Sequence, residues 1–347
     1  MAVYTTINDP SAHFQTNAYD GNGNNGKVIT NYGNSNLQPD FLWIKKTGGG
    51  GSNRDHILVN TTDGLTKNHR ANQADAIYTN SNYVTAIGTD SFTLGNGAPV
   101  NEADDQFICW NWKLAGGTTT TNNDGSIACT IQVNSTAGFS MGKYTSPGSP
   151  SGTVGHGLGA KPDFFLGKGD ASSGWYGMFP NAEGSNQSSG INTNNAFGTV
   201  SGVSGHNTST FTNGQSSGTH IFWAWKNVQG YFRAGRYTSN NNADGPFIYT
   251  GFKPALIAFK MTSGGTSWRW YDDKRVGSNP DNRYVLSNAN DSEVSQHSGN
   301  SEVHFLSNGF KLTEAEGDIN YNTENVCYAA WAASPFVTST GVPTTTR

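Results

Sequence analysis

Four landmarks recur in the same order three times along this chain, which constrains the fold more than any local motif does. The first is Phe, four residues, then Tyr: Phe14 to Tyr19, Phe139 to Tyr144, and Phe232 to Tyr237. The second is a Pro opening an apolar run, at Pro39 in QPDFLWIKK, Pro162 in KPDFFLGKG and Pro254 in KPALIAFKM. The third is a lone aromatic, Phe92, Phe211 or Phe310, and the last is a run closing on Trp112, Trp225 or Trp331. Tyr to Pro spans 20, 18 and 17 residues, and Pro to the lone Phe spans 53, 49 and 56.

Each landmark reads as a strand. Pro cannot donate a ladder hydrogen bond, so it suits the first residue of a strand. Phe41, Leu42, Trp43 and Ile44 form a short continuous apolar run before a GGGG turn, as expected of a strand covered on both faces. In FICWNWK, a period of two puts Phe107, Cys109 and Asn111 on one face and Ile108, Trp110 and Trp112 on the other. Helical periodicity is not sustained over ten residues anywhere. The expected fold is all-β: three tandem, divergent β-sandwich repeats at residues 1–115, 126–228 and 229–336. A polar linker at 116–125 separates the first two, and residues 337–347 form a polar tail, disordered or docked.

Composition supports a folded chain. Charged residues are only 13% and Gly reaches 44 residues, yet aromatics make up 12%, too many for a disordered chain. A net charge of -4 without any Lys/Arg run argues against nucleic acid as a partner. No apolar stretch is long enough to span a membrane, and the first residues lack the features of a secretion signal. Cys109, Cys129 and Cys327 show no CxxC spacing and read as buried free thiols, although spacing leaves a disulfide between two of them open.

The blocks YTTINDPSAHFQT, SNLQPDFLWIKK, DSFTLGN, GTVGHGLGAKPDF and ADGPFIYTGFKPALIAFK carry a resemblance. They resemble a repeated, jelly-roll-like β-domain of structural proteins of marine tailed phages such as cyanophages. The resemblance covers almost the whole chain and brings no catalytic residues. It implies a virion component made in the host cytoplasm, with other virion proteins as partners. The function expected from it is a tail fibre or spike part that recognises the host surface. The alternative is a capsid-decorating or tail-joining protein without a receptor role. A homo-oligomer, first of all a trimer, is the expected assembly, because thin-cored domains gain by burying their edges.

Motifs that would carry chemistry fall short of their requirements, so no enzyme is expected. GNGNNGK at 21–27 imitates a phosphate loop, but Val28 stands where Ser or Thr would hold magnesium and no helix pattern follows. It reads as a Gly/Asn hairpin. His56 and His156 have no second His at metal spacing and read as structural. Asp104 and Asp105, Asp272 and Asp273, and Glu314, Glu316 and Asp318 read as solvated loops. Calcium is the one cation such oxygen-rich loops could hold; otherwise no cofactor is expected.

The candidate binding segment is SWRWYDDKR with the loop after it. Trp268, Trp270 and Tyr271 could stack on a host-surface glycan, while Asp272, Asp273, Arg275 and Arg283 hold its hydroxyls. The plainer reading puts Trp268 and Trp270 in the core and makes Asp272 to Arg275 an ordinary solvated turn.

Overall fold

The computed structural model describes residues 4–169, 174–275, 279, 283–295, 303–315 and 317–344. It is built of several antiparallel β-sheets, with one short helix among the described residues, α1 (Ala98–Asn101).

The first third holds β1 (Phe14–Asp20), β2 (Lys27–Thr30), β3 (Phe41–Gly48), β4 (Ile57–Asn60), β5 (Lys67–Arg70), β6 (Tyr78–Thr79), β7 (Val84–Gly88), β8 (Ser91–Leu94) and β9 (Gln106–Trp112). They make a six-stranded sheet, β1-β9-β3-β4-β5-β6, and a three-stranded sheet, β2-β8-β7. The middle third holds β10 (Thr120–Asn122), β11 (Cys129–Asn134), β12 (Phe139–Ser146), β13 (Gly152–Gly155), β14 (Phe164–Gly169), β15 (Trp175–Met178), β16 (Gln187–Ser188), β17 (Gly198–Thr199), β18 (Val203–Ser204), β19 (Thr210–Asn213) and β20 (Gly218–Trp225). Its sheets are β10-β11-β12-β20-β14-β15, β13-β19-β18 and the pair β16-β17. The last third holds β21 (Phe232–Thr238), β22 (Phe247–Tyr249), β23 (Phe252–Met261), β24 (Arg269–Asp272), β25 (Arg283–Leu286), β26 (Val294–Ser295), β27 (Val303–Leu306), β28 (Gly309–Leu312) and β29 (Asn325–Pro335). Its sheets are β21-β29-β23-β24-β25-β26 and β22-β28-β27.

The three large sheets share one register at their centres. Trp112 lies between Phe14 and Phe41, Trp225 between Phe139 and Phe164, and Trp331 between Phe232 and Leu256. The period of two then sorts the side chains. Phe41, Trp43, Trp110 and Trp112 join one large central cluster, in which the inner faces of all three sheets meet. Leu42, Ile44, Phe107 and Cys109 point outward and pack beneath the small sheet, against Ile29, Phe92 and Leu94. The middle third repeats this layering with Phe165 and Phe222 under Val154 and Phe211. Burial on both faces is why β3 is apolar without alternation.

At the centre, the rings of Trp112, Trp225 and Trp331 touch one another. Their centroids stand 5.5 Å apart for Trp112–Trp331, 5.6 Å for Trp225–Trp331 and 6.2 Å for Trp112–Trp225. Each meets its own strand partner as well, Phe139 stacking on Trp225 at 4.5 Å.

Two expectations change. The stretch 116–125 is not a bare linker, because β10 within it pairs with β11 and edges the second large sheet. Its departure from β9 is fixed by Asp40, whose carboxylate accepts the backbone N–H groups of Leu114, Gly116 and Gly117. Pro254 lies inside β23, beside a register shift, and does not open the strand. The tail through 344 is docked, with Ser339 bonded to Asn8 through both backbone and side chain. All three cysteines are buried free thiols.

Candidate binding seam

The rings singled out from the sequence are sealed. Trp268, Trp270 and Tyr271 are fully buried. Trp270 lies against Trp43 at 4.6 Å and Trp110 at 5.3 Å, closing the first sheet onto the third. Trp268 packs on Phe164 and Phe179 of the second sheet. Tyr271, on the opposite face of β24, packs on Phe259 and Tyr284. None of the three offers a face to a sugar, because each fills a core.

The turn after β24 is also not an ordinary solvated turn. Buried Asp272 accepts the N–H groups of Lys274 and Arg275, and its other oxygen lies 2.6 Å from Arg275 Nε. Arg275 also donates to the Trp270 carbonyl and lies 3.4 Å from Glu293. Glu293 in turn holds Arg283 at 3.0 Å, at the surface. Of the other acidic residues, Asp105 sits 2.7 Å from Lys46 and Asp318 3.3 Å from Arg269, Asp104 is exposed, and Glu316 lies outside the described residues. Among the described residues no group of three or more His, Cys, Asp or Glu gathers as metal ligands. His56 accepts from Trp43 Nε1 and pairs with the Leu286 carbonyl, and His156 pairs with the Asn207 carbonyl.

What remains at the surface from the candidate segment lines a cleft where the third sheet meets β1. One compartment, about 230 Å³, is bounded by Gln15, Thr16, Tyr32, Asn34, Asp273 and Lys274. A second, about 340 Å³, continues past Lys274 to Ala18, Asp20, Arg275, Arg283 and Glu293. Asp273 is the unusual group. Burial pushes its carboxyl up to about 6, against the pull of Lys274. Its Oδ1 has no hydrogen-bond partner among the described residues, and Lys274 Nζ stands 3.7 Å from Oδ2. The cleft thus joins an exposed ring, Tyr32, to amide, ammonium and carboxylate groups.

The other two seams are pinned by an ion pair where this one has Lys274 Nζ 5.8 Å over the Tyr32 ring. Lys143 of β12 reaches Asp63 at 2.6 Å, and Arg236 of β21 reaches Glu183 at 2.8 Å. Each of these bases lies four residues past the Phe paired with the central Trp. On β1 that position is Ala18, too short to cross the gap. Sequence reasoning missed Tyr32, Gln15 and Ala18, because only pairing between distant segments brings them opposite Asp273.

Neither the curated proteins nor the solved structures contain a match to this chain. A family model described as a domain of unknown function, DUF7483, matches residues 9–335. With nearly its whole length under that one model, the chain belongs to the DUF7483 family.

Proposed function

We propose that the chain is three tandem β-sandwich units arranged about a pseudo-threefold axis, and that it serves as a non-enzymatic structural component of a virus particle. The shared register around Trp112, Trp225 and Trp331 supports the three-unit reading. The block resemblance to marine phage structural domains supports the setting. On this reading one chain does what three chains do in a trimer, so the unit of assembly is a single chain.

The observation that carries the contact role is the open seam between the third unit and β1, where Ala18 replaces a pinning base. A joining or decorating role now ranks ahead of host recognition, since burial of Trp268, Trp270 and Tyr271 removes the main support for a glycan site. A density map of the intact particle tests this. The seam should lie against a neighbouring protein; a seam facing solvent in every copy would overturn the joining role. Glycan recognition is the second reading, favoured by exposed Tyr32 beside Gln15, Asn34 and Asp273. It requires that Tyr32→Ala particles lose host adsorption.

A further inference from the structure

We infer that the outer edge of β1 is a strand-addition site for an extended segment of a partner protein, in the slot that β11 fills beside β12. The inference rests on the joining role proposed above and names the form of the partner.

The template is inside the chain. β12 and β1 hold equivalent places, pairing Phe139 with Trp225 and Phe14 with Trp112. β12 has β11 on its other side, in antiparallel register from Cys129↔Tyr144 to Asn134↔Phe139. Among the described residues β1 ends its sheet and has no strand there. An open edge presents unpaired N–H and C=O groups, and adding a strand is the direct way to satisfy them.

The walls of the two slots match. Gln132 of β11 lies opposite Met141, and its amide donates to Thr61 Oγ1 at 2.8 Å and Thr62 Oγ1 at 2.9 Å, in the turn after β4. Thr16 stands on β1 where Met141 stands on β12. The turn after β24 supplies Asp273 and Lys274 in place of the two threonines. An occupant residue opposite Thr16 would therefore meet a carboxylate oxygen with no partner, and a Lys, Arg, Gln or Asn there would satisfy it.

In the free chain Tyr32 caps the slot, beside Gln15, whose side chain accepts the Gly33 N–H and donates to the Ser35 carbonyl. Tyr32 lies two residues past β2, and its hydroxyl accepts the N–H of Ala18 at 3.2 Å. Two residues past β13 the chain has Gly157 instead. Gly157 has φ +70°, which favours glycine, and a Cβ there would crowd the methyl ends of Ile131 at 2.8 Å and Val133 at 3.0 Å, so the small residue leaves room for β11. Tyr32 is 56% exposed, so its ring can leave without opening a core. β21 is the poorer site, because Asn227 already caps both backbone groups of Ala234.

The probe is an acetylated, amidated peptide of residues 127–134 carrying Cys129→Ser, titrated at up to millimolar concentration into the full chain and its Tyr32→Ala and Tyr32→Phe variants. Affinity comes from calorimetry and location from amide hydrogen exchange. Either variant frees the Ala18 N–H and should bind about tenfold more tightly than the parent. Binding should slow exchange across residues 14–20, and Asp273→Ala in the Tyr32→Phe background should weaken it severalfold. Absence of binding to both variants, or binding that leaves residues 14–20 unprotected, overturns strand addition. The particle map tests the joining role separately.

Discussion

Four residues beyond the side chain that meets each central Trp stands a buried lysine: Lys45 after Phe41, Lys168 after Phe164 and Lys260 after Leu256. Lys45 donates to the carbonyls of Arg54 and Asn290, and Lys260 to the Met261 carbonyl. Burial lowers the three from 10.5, Lys45 to about 7 and the other two to about 8. The sign follows from proton counts. Between these values and 10.5 the unfolded chain binds protons that the folded chain does not, so raising pH through this window stabilises the fold. Below about pH 7 the cost of burying the ammonium groups is fully present. Buried tyrosines such as Tyr231 and Tyr237 are raised, so the unfolded chain gains by ionising them at high pH. Urea unfolding across a pH series should therefore show greatest stability at roughly pH 9 to 10. Lys45→Met should flatten the rise, and an unchanged slope would refute the assignment. Arg275 gives a second expectation: Arg275→Ala leaves Asp272 buried without its cation and should cost about 3–5 kcal/mol, measured by the same unfolding.

The strands at the centre of each large sheet were the most legible elements. FLWI reads as a run buried on both faces, and the inner and outer faces assigned to FICWNWK are those found in the two cores. Burial of Trp268 and Trp270 was also readable as the plainer alternative, since alternation places them on one face, whereas burial of Tyr271 on the opposite face was not. The edges were not legible. β10 lies in a run of Thr and Asn whose polarity reads as a linker, and pairing across sequence makes it a strand. The open seam is harder still, because Ala18, Tyr32 and Asp273 carry no local signal that they share a cleft. The connection between β9 and β10 nevertheless has a definite anchor. Asp40→Ala would orphan the N–H groups of Leu114, Gly116 and Gly117 and should cost roughly 1–3 kcal/mol for each that water cannot reach. Faster amide exchange at 114–117 is the direct readout, and unchanged protection there would show that Asp40 does not hold the link.

For the molecule as a whole, the central cluster decides how it unfolds. The first and middle thirds each close a smaller core between their own sheets, but the inner faces of all three large sheets are buried only in the shared central cluster, so a third on its own would expose that face. Calorimetry should show one transition, not three, and residues 126–228 expressed alone should fail to give a cooperative melt. On the proposed reading light scattering should return the mass of one chain, 37.0 kDa, and a threefold value would bear out the trimer expectation instead. Trp112→Ala should cost about 3–5 kcal/mol in urea unfolding. The three indoles at the centre have an optical consequence too. Rings 5.5 to 6.2 Å apart at fixed tilts couple their electronic transitions. The native chain should carry paired circular-dichroism bands of opposite sign in the tryptophan region, a built-in gauge of whether the three large sheets are closed on one another.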